Sequence, residues 1–315
     1  MQNLSNPTMP KSEAAVASKP SIMFIGLGTM GMPMAKNLVR AGFSVTGSDA
    51  DARAVAALVV AGGHAADDAC IAAAQADVVI TMVPDDRAVT DVLAPPTGLL
   101  AAMKSGALVI EMSTTAPSTK VALAAVAAGR GIDFVESPVG KTMEAAIAGT
   151  LTLMVGGTPS AIERARPILA KMGSELHVCG DVGAASAIKL INNALVACIN
   201  AASIEALVAG RKANLDLDMM MSVFRSTMAW NQALAVGLPR KALKRDFRPG
   251  FMTRLAHKDV GLALAMAKDL GVPMTQVEAA YATLGRALDA GYGADDTPGS
   301  MLRITEARGG VQVGA

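Results

Sequence analysis

Apolar residues come in short runs along the first half of the chain and in long helical stripes along the second. From Ser21 the pattern alternates: Ser21–Gly26 predicts a strand, Met30–Ala41 a helix closed by Gly42, and Phe43–Ser48 a second strand. Ala76–Val83, Ala107–Glu111, Phe134–Glu136 and Leu151–Gly156 predict further strands, with alanine-rich helical segments between them. Parallel strands need crossover helices, so the alternation specifies a mainly parallel, doubly wound α/β sheet covered on both faces. Near Gly183 the pattern changes. Ala184–Ala213 has no proline and a single glycine, Gly210, near its far end, which predicts one long helix. Met219–Ser226, Ala233–Leu243, Phe251–Leu270 and Val272–Ala290 continue at helical spacing. The expected organisation is a disordered extension over 1–19, an α/β domain over 20–182, an all-α domain over 183–305 joined by the long helix, and a loose tail over 306–315.

Composition narrows the functional classes. The 315 residues are enough for two cores, at about 150 residues per domain. They are 52% hydrophobic but only 3% aromatic, so small and flexible side chains fill the interior, and few stacking surfaces are left for a large planar ligand. A mean hydropathy of +0.40 raises the question of a membrane. The longest charge-free runs, Pro20–Ala35 and Ala145–Ile162, are broken by Gly, Pro and Thr, which predicts a soluble chain with no membrane partner. With 28 basic and 27 acidic residues there is no cationic excess for a phosphate backbone, so no nucleic-acid partner is expected. Cys70, Cys179 and Cys198 are widely spaced and lack metal-ligand pairing; they read as reduced, buried thiols of a cytoplasmic protein with no metal site. The first 19 residues lack the apolar stretch of a secretory signal.

Two constellations carry chemistry. Gly26-Leu27-Gly28-Thr29-Met30-Gly31 is G-x-G-x-x-G placed after a strand and opening a helix. Gly26 permits the tight turn, Gly28 lets backbone approach a pyrophosphate, and Gly31 lets helix and strand pack closely. Asp49, at the end of the second strand, stands where an acid holds a ribose hydroxyl and repels a 2′-phosphate, which points to NAD(H) rather than NADP(H). Arg53, one turn later, reads as a solvated helix charge. Gly140-Lys141-Thr142 imitates the end of a P-loop but lacks the leading glycine, position 135 being Val135.

The second constellation is Lys189, Asn192 and Asn193 near the start of the long helix, three and four residues apart and so on one face. Between two domains a lysine loses solvation of its charged form, and its pKa falls from about 10.4. His64, His177 and His257 lie away from these motifs and read as ordinary core or surface residues.

These residues resemble the β-hydroxyacid dehydrogenase family, which includes 3-hydroxyisobutyrate dehydrogenase, tartronate semialdehyde reductase and, more distantly, 6-phosphogluconate dehydrogenase. The resemblance covers Ile22 to Thr305. Gly26–Gly31 with Met34–Leu38 is similar to its cofactor fingerprint; Glu111-Met112-Ser113-Thr114 resembles its D-x-S-T loop near the nicotinamide, with Glu111 in the Asp place; Lys189–Asn193 resembles its K-x-x-N-N helix; and Phe251, Leu255 and Lys258-Asp259 resemble its C-terminal motif. The resemblance implies a Rossmann-like NAD-binding domain and Lys189 as the acid/base, with Asn193 orienting the substrate. Ser113, Thr114, Asn192 and Phe251 would line the substrate, and Val83, Pro84, Thr114 and Lys258 would join the cofactor set.

The substrate loop departs from the family's P-V-S-G-G. Here it reads Pro138-Val139-Gly140-Lys141-Thr142, a cation and a hydroxyl in place of Ser-Gly, which resembles the 3-sulfolactaldehyde reductase branch. The resemblance implies an NADH-dependent reductase of a short anionic semialdehyde, with 3-sulfolactaldehyde favoured and Gly140, Lys141 and Thr142 gripping the remote anion. A carboxylate-specific 3-hydroxyisobutyrate dehydrogenase, tartronate semialdehyde reductase or 4-hydroxybutyrate dehydrogenase is the alternative. A non-catalytic dinucleotide-binding module is the alternative from another class, and the presence of Lys189 with both asparagines argues against it. The apolar helices after Gly183 exceed what one small domain needs, so a homodimer or homotetramer through the all-α domain is expected.

Overall fold

The computed structural model describes residues 19–94 and 96–314; apart from Lys19, the expected N-terminal extension lies outside the described residues. The chain runs β1 (Ile22–Ile25), α1 (Gly31–Arg40), β2 (Val45–Ser48), α2 (Ala52–Val60), β3 (His64–Ala65), α3 (Ala69–Gln75), β4 (Val78–Thr81), α4 (Asp86–Leu93), β5 (Leu108–Glu111), α5 (Pro117–Ala128) and β6 (Asp133–Glu136). It continues through β7 (Val139–Gly140), α6 (Met143–Ala148), β8 (Leu151–Gly157), α7 (Pro159–Leu169) and β9 (Gly173–Gly180). The helical part comprises α8 (Ala184–Lys212), α9 (Leu217–Arg225), α10 (Leu238–Arg240), α11 (Thr253–Asp269), α12 (Thr275–Asp289) and α13 (Thr297–Gly309).

The six strands β3-β2-β1-β4-β5-β6 are parallel in that spatial order, and β8 then pairs antiparallel with β6 and β7 and parallel with β9. The central strands are apolar at almost every position because both faces are covered. Side chains alternate between two cores. Ile22, Phe24, Ile80 and Ile110 point to one face under α1, and Met23, Ile25, Val79 and Val109 to the other, with Leu123 and Ala127 of α5. A third core surrounds α8, whose Leu190, Ala194, Ile204 and Leu207 pack with α11, α12 and α13.

By length and composition α8 could cross a bilayer. Part of its apolar surface packs in this core, Ile188, Ile191, Leu195 and Val196 stay exposed, and Lys189 and Glu205 lie along its length. The expected helix Ala233–Leu243 runs as a π-turn into α10, where Pro239 lacks an N–H, and breaks at Lys241, φ −134°, before a 3-10 turn. The segment Val272–Ala290 starts its helix only at Thr275, because Pro273 disfavours helical backbone at Val272. The tail is not loose at 306. α13 continues to Gly309, Gly310 caps it at φ +61°, and Val313 is buried, its N–H held by Glu306. The cysteines also differ from expectation: Cys70 is exposed on α3, a surface helix that buries only Ala73, and Cys179 and Cys198 are half-buried.

Candidate active site

Parallel register sets the last residues of four strands in a row, Ile25, Thr81, Glu111 and Glu136, and the loops that follow them build the site. After β1 the chain turns through Gly26 at φ +89°, where a Cβ would lie 2.2 Å from the Met82 carbonyl oxygen. A Cβ on Gly31 would lie 1.9 Å from the Gly26 carbonyl oxygen, so both positions exclude any side chain. Gly28 is different: a Cβ there would meet nothing within 4 Å. Gly28 and Thr29 are exposed, whereas Leu27 is buried and Met30 packs on the core, so those two offer backbone only. Met30 precedes α1 without a side-chain cap; Met32 N donates to the Gly28 carbonyl at 3.0 Å and Pro33 has no N–H, so the helix start offers the Gly31 N–H to an outside acceptor.

Asp49 stands beside this loop, accepting from Leu27 N at 2.6 Å. Arg53 is drawn away by Asp51 through two bonds of 3.0 and 2.9 Å. The open space at Gly28, the uncapped helix start and the adjacent carboxylate fit a dinucleotide, with Gly26–Gly31 at the pyrophosphate and Asp49 at a ribose. Val83 and Pro84 follow β4 on the neighbouring side of the row.

The other half of the site comes from the helical domain. The fully buried Glu136 carboxylate accepts from the N–H groups of Gly183, Ala185 and Ser186 at 2.6, 2.8 and 3.3 Å and from Ser186 Oγ at 2.5 Å. This negative charge at the start of α8 complements the helix dipole and fixes the helix on the end of β6. One turn later comes Lys189, half-buried, its pKa lowered by burial against the attraction of Asp259, with Lys258 adding repulsion. Asn193 donates to Asp259 at 2.7 Å, Asp259 pairs with Lys258 at 2.8 Å, and the Lys258 ammonium donates to the Thr114 carbonyl. Lys189, Asn193, Lys258 and Thr114 therefore converge from α8, α11 and the turn after β5.

Six other expected site residues sit differently. Ser113 is fully buried and its hydroxyl accepts from Val83 N at 2.9 Å, so its side chain braces two loops. The Lys141 ammonium is held by Glu175 at 2.8 Å and the Thr150 carbonyl at 3.0 Å, because backbone at φ +76° aims it toward β8 and β9. Phe251 is tied through its backbone to Asp296 and Thr297 while its ring stays 41% exposed. Asn192 is exposed and donates to Asn193 at 3.1 Å. Gly140 is buried in β7, and Thr142 donates to Glu144 at 2.5 Å. His64 and His177 are exposed on β3 and β9, and His257 stacks on Tyr281.

Residues 21–180 match the family model described as the NAD binding domain of 6-phosphogluconate dehydrogenase, and 183–305 match that described as NAD-binding of NADP-dependent 3-hydroxyisobutyrate dehydrogenase. The chain belongs to the β-hydroxyacid dehydrogenase family. It is 37% identical over 294 residues to the 2-(hydroxymethyl)glutarate dehydrogenase of Eubacterium barkeri, covering 93% of this chain and 97% of that one. Identity to the 3-sulfolactaldehyde reductase of Escherichia coli is 39% over 289 residues, 92% and 97% of the two chains. The solved structure of Mycobacterium tuberculosis 3-hydroxyisobutyrate dehydrogenase with L-serine superposes with a TM-score of 0.82 at 32% identity, over 91% of this chain and 99% of that one.

As a β-hydroxyacid dehydrogenase this protein is an oxidoreductase acting on CH–OH groups, with a domain built for NAD or NADP. Two residues of this family member went unsingled in the sequence, Glu136, which anchors α8, and Lys120, buried beneath the Ser113–Thr114 turn; Asp259, read there only as part of the Lys258-Asp259 motif, also holds Asn193. A signal existed for Lys120, the single charge of α5.

Proposed function

We propose that this protein interconverts a short anionic semialdehyde and its hydroxy acid with NADH as reductant. The observation that carries the reading is the convergence of Lys189 and Asn193 with Asp259, Lys258 and the Thr114 carbonyl beside a loop that fits a dinucleotide. When bound, the nicotinamide supplies or accepts the hydride. The Lys189 ammonium gives a proton to the aldehyde oxygen during reduction, and its free amine takes the hydroxyl proton during oxidation. Burial lowers the Lys189 pKa, which makes the free amine easier to reach than in a solvated lysine. Asn193, steadied by Asp259, orients the substrate oxygen. Asp49 favours NAD(H) over NADP(H), since its carboxylate beside the glycine loop would repel a 2′-phosphate.

Within this class the favoured substrate is 3-sulfolactaldehyde, with 2,3-dihydroxypropane-1-sulfonate as its alcohol. Lys141 and Thr142 offer a cation and a hydroxyl to a three-oxygen anion, and the similarity to the Escherichia coli reductase supports the same choice. Lys141 has to leave Glu175 to do so, and an exposed pair of this kind costs about 1 kcal/mol or less to break. That same pairing favours a second reading, a carboxylate substrate held without Lys141, as in the 2-(hydroxymethyl)glutarate, 3-hydroxyisobutyrate, tartronate semialdehyde or 4-hydroxybutyrate class. Steady-state assays decide between them. A higher kcat/KM for 3-sulfolactaldehyde than for tartronate semialdehyde, succinate semialdehyde or 3-hydroxyisobutyrate is expected, and an equal or lower value would sink the sulfonate assignment.

The enzyme is assigned to the cytoplasm, as a homo-oligomer joined through the helical domain. Ile188, Ile191, Leu195 and Val196 form an exposed apolar stripe on α8, which supports a second copy of the chain as its cover.

A further inference from the structure

Helix α5 turns a single charge inward. Lys120 has no exposed surface and shares its face with Leu123 and Ala127. Its ammonium pairs with the equally buried Glu111 and donates to the Ser113 carbonyl at 2.9 Å. Glu111 in turn accepts from Ser113 N at 2.8 Å and from Thr81 Oγ1 at 3.3 Å. Both backbone groups of Ser113 are thus held by one ion pair, its hydroxyl is held by Val83, and the next carbonyl, of Thr114, is held by Lys258. Glu136 and Asp86 add attraction around Lys120 and Lys258 adds repulsion.

Stability alone is a poor reason for this arrangement. Removing two charges from water costs more than their attraction commonly returns, and an apolar pair of similar volume is frequently as stable or more so. What an apolar pair cannot supply is a donor aimed at the Ser113 carbonyl.

We propose that Lys120 is a positioning residue, which with Glu111 locks the Ser113–Thr114 turn from beneath so that it meets the cofactor in a fixed place. The assignment rests on the reading above that this turn borders the nicotinamide. Lys120 itself touches neither cofactor nor substrate; it acts through Ser113.

The test uses two variants of the full chain, Lys120→Met and the double variant Glu111→Gln with Lys120→Met. The single variant strands the Glu111 carboxylate and can fail to fold. The double variant carries no stranded charge, and the glutamine carbonyl still accepts from Ser113 N. For the double variant, faster amide hydrogen exchange confined to 112–116, by about tenfold, is expected at near-native thermal stability. The NADH Kd, read by fluorescence, is expected to rise about fivefold together with KM for NADH, with kcat changing less. Native exchange in 112–116, or faster exchange with an unchanged Kd, would overturn the proposal. An unmodified chain that binds no NADH would instead overturn the cofactor reading, and the exchange result would still report whether Lys120 holds the turn.

Discussion

At the scale of single residues, Lys189 and the glycines of the first loop make the sharpest predictions. Lys189→Ala keeps NADH binding and loses turnover by about two orders of magnitude or more. The pH profile has a definite sign. Burial lowers the Lys189 pKa from 10.5, and reduction needs the ammonium, so the reduction rate falls as pH rises through that lowered value. The oxidation rate, which needs the free amine, rises over the same interval. A reduction rate that stays flat up to the ordinary lysine value would remove Lys189 as the acid. The glycines separate binding from folding. Gly28→Ala meets empty space and is expected to fold normally while weakening NADH binding about tenfold, since its methyl group enters the pyrophosphate cradle. Gly31→Ala collides with the Gly26 carbonyl and is expected to cost about 2 kcal/mol or more of stability. Thermal melts and fluorescence titration of the two variants distinguish these outcomes. Each of these proposed roles is read from residue type and spacing. The partner of Lys141 is not, because nothing near Lys141 in the sequence announces Glu175, 34 residues away on another strand.

At the scale of elements, the short parallel strands depend on ties at their starts as well as on their apolar faces. Asp77, just before β4, accepts from Lys104 at 2.7 Å and from the amide and hydroxyl of Ser21, just before β1, at 2.8 and 2.9 Å. The hydrogen bond from Lys104, then those from Ser21, lower its pKa from 3.8 to about 2. A carboxyl held lower in the folded state stabilises the fold above its unfolded pKa, and that contribution is lost as pH falls from 3.8 toward 2. Asp77 is nearly half exposed, so solvent screening limits the effect to about 1 kcal/mol. Asp77→Asn is therefore expected to lower neutral-pH stability by about that amount and to flatten acid unfolding over the same interval, as followed by circular dichroism. Most strands were legible because both of their faces are apolar. β9 was not: it is an edge strand with mostly exposed positions and no apolar run to mark it. The failure of Ala233–Leu243 as one regular α-helix shows the opposite limit, helical spacing interrupted by Pro239, which lacks an N–H, and by the break at Lys241.

At the scale of the whole molecule, the two domains meet through Glu136 at the start of α8, Lys258 on the Thr114 carbonyl, and an Arg240–Glu144 ion pair of 2.9 Å. The apolar stripe on α8 begins at Ile188, next to Lys189, so the proposed assembly and the proposed catalysis share a helix. Leu195→Glu is expected to shift the chain to monomer in sedimentation velocity at micromolar concentration; a native chain that already sediments as monomer would contradict the proposed oligomer. By itself the sequence determined the strand-helix alternation, the long helix, the glycine loop and the Lys189–Asn193 face, since each is written in periodicity or spacing over a few residues. Tertiary structure alone decided that Glu136 caps α8, that Asp259 orients Asn193, that Ser113 is a brace, and that Glu111 and Lys120 share a buried site. The physical reason is that a buried charge or hydroxyl takes its role from whichever partner satisfies it. Those partners are brought together by strand register and helix packing, across separations that no local pattern records.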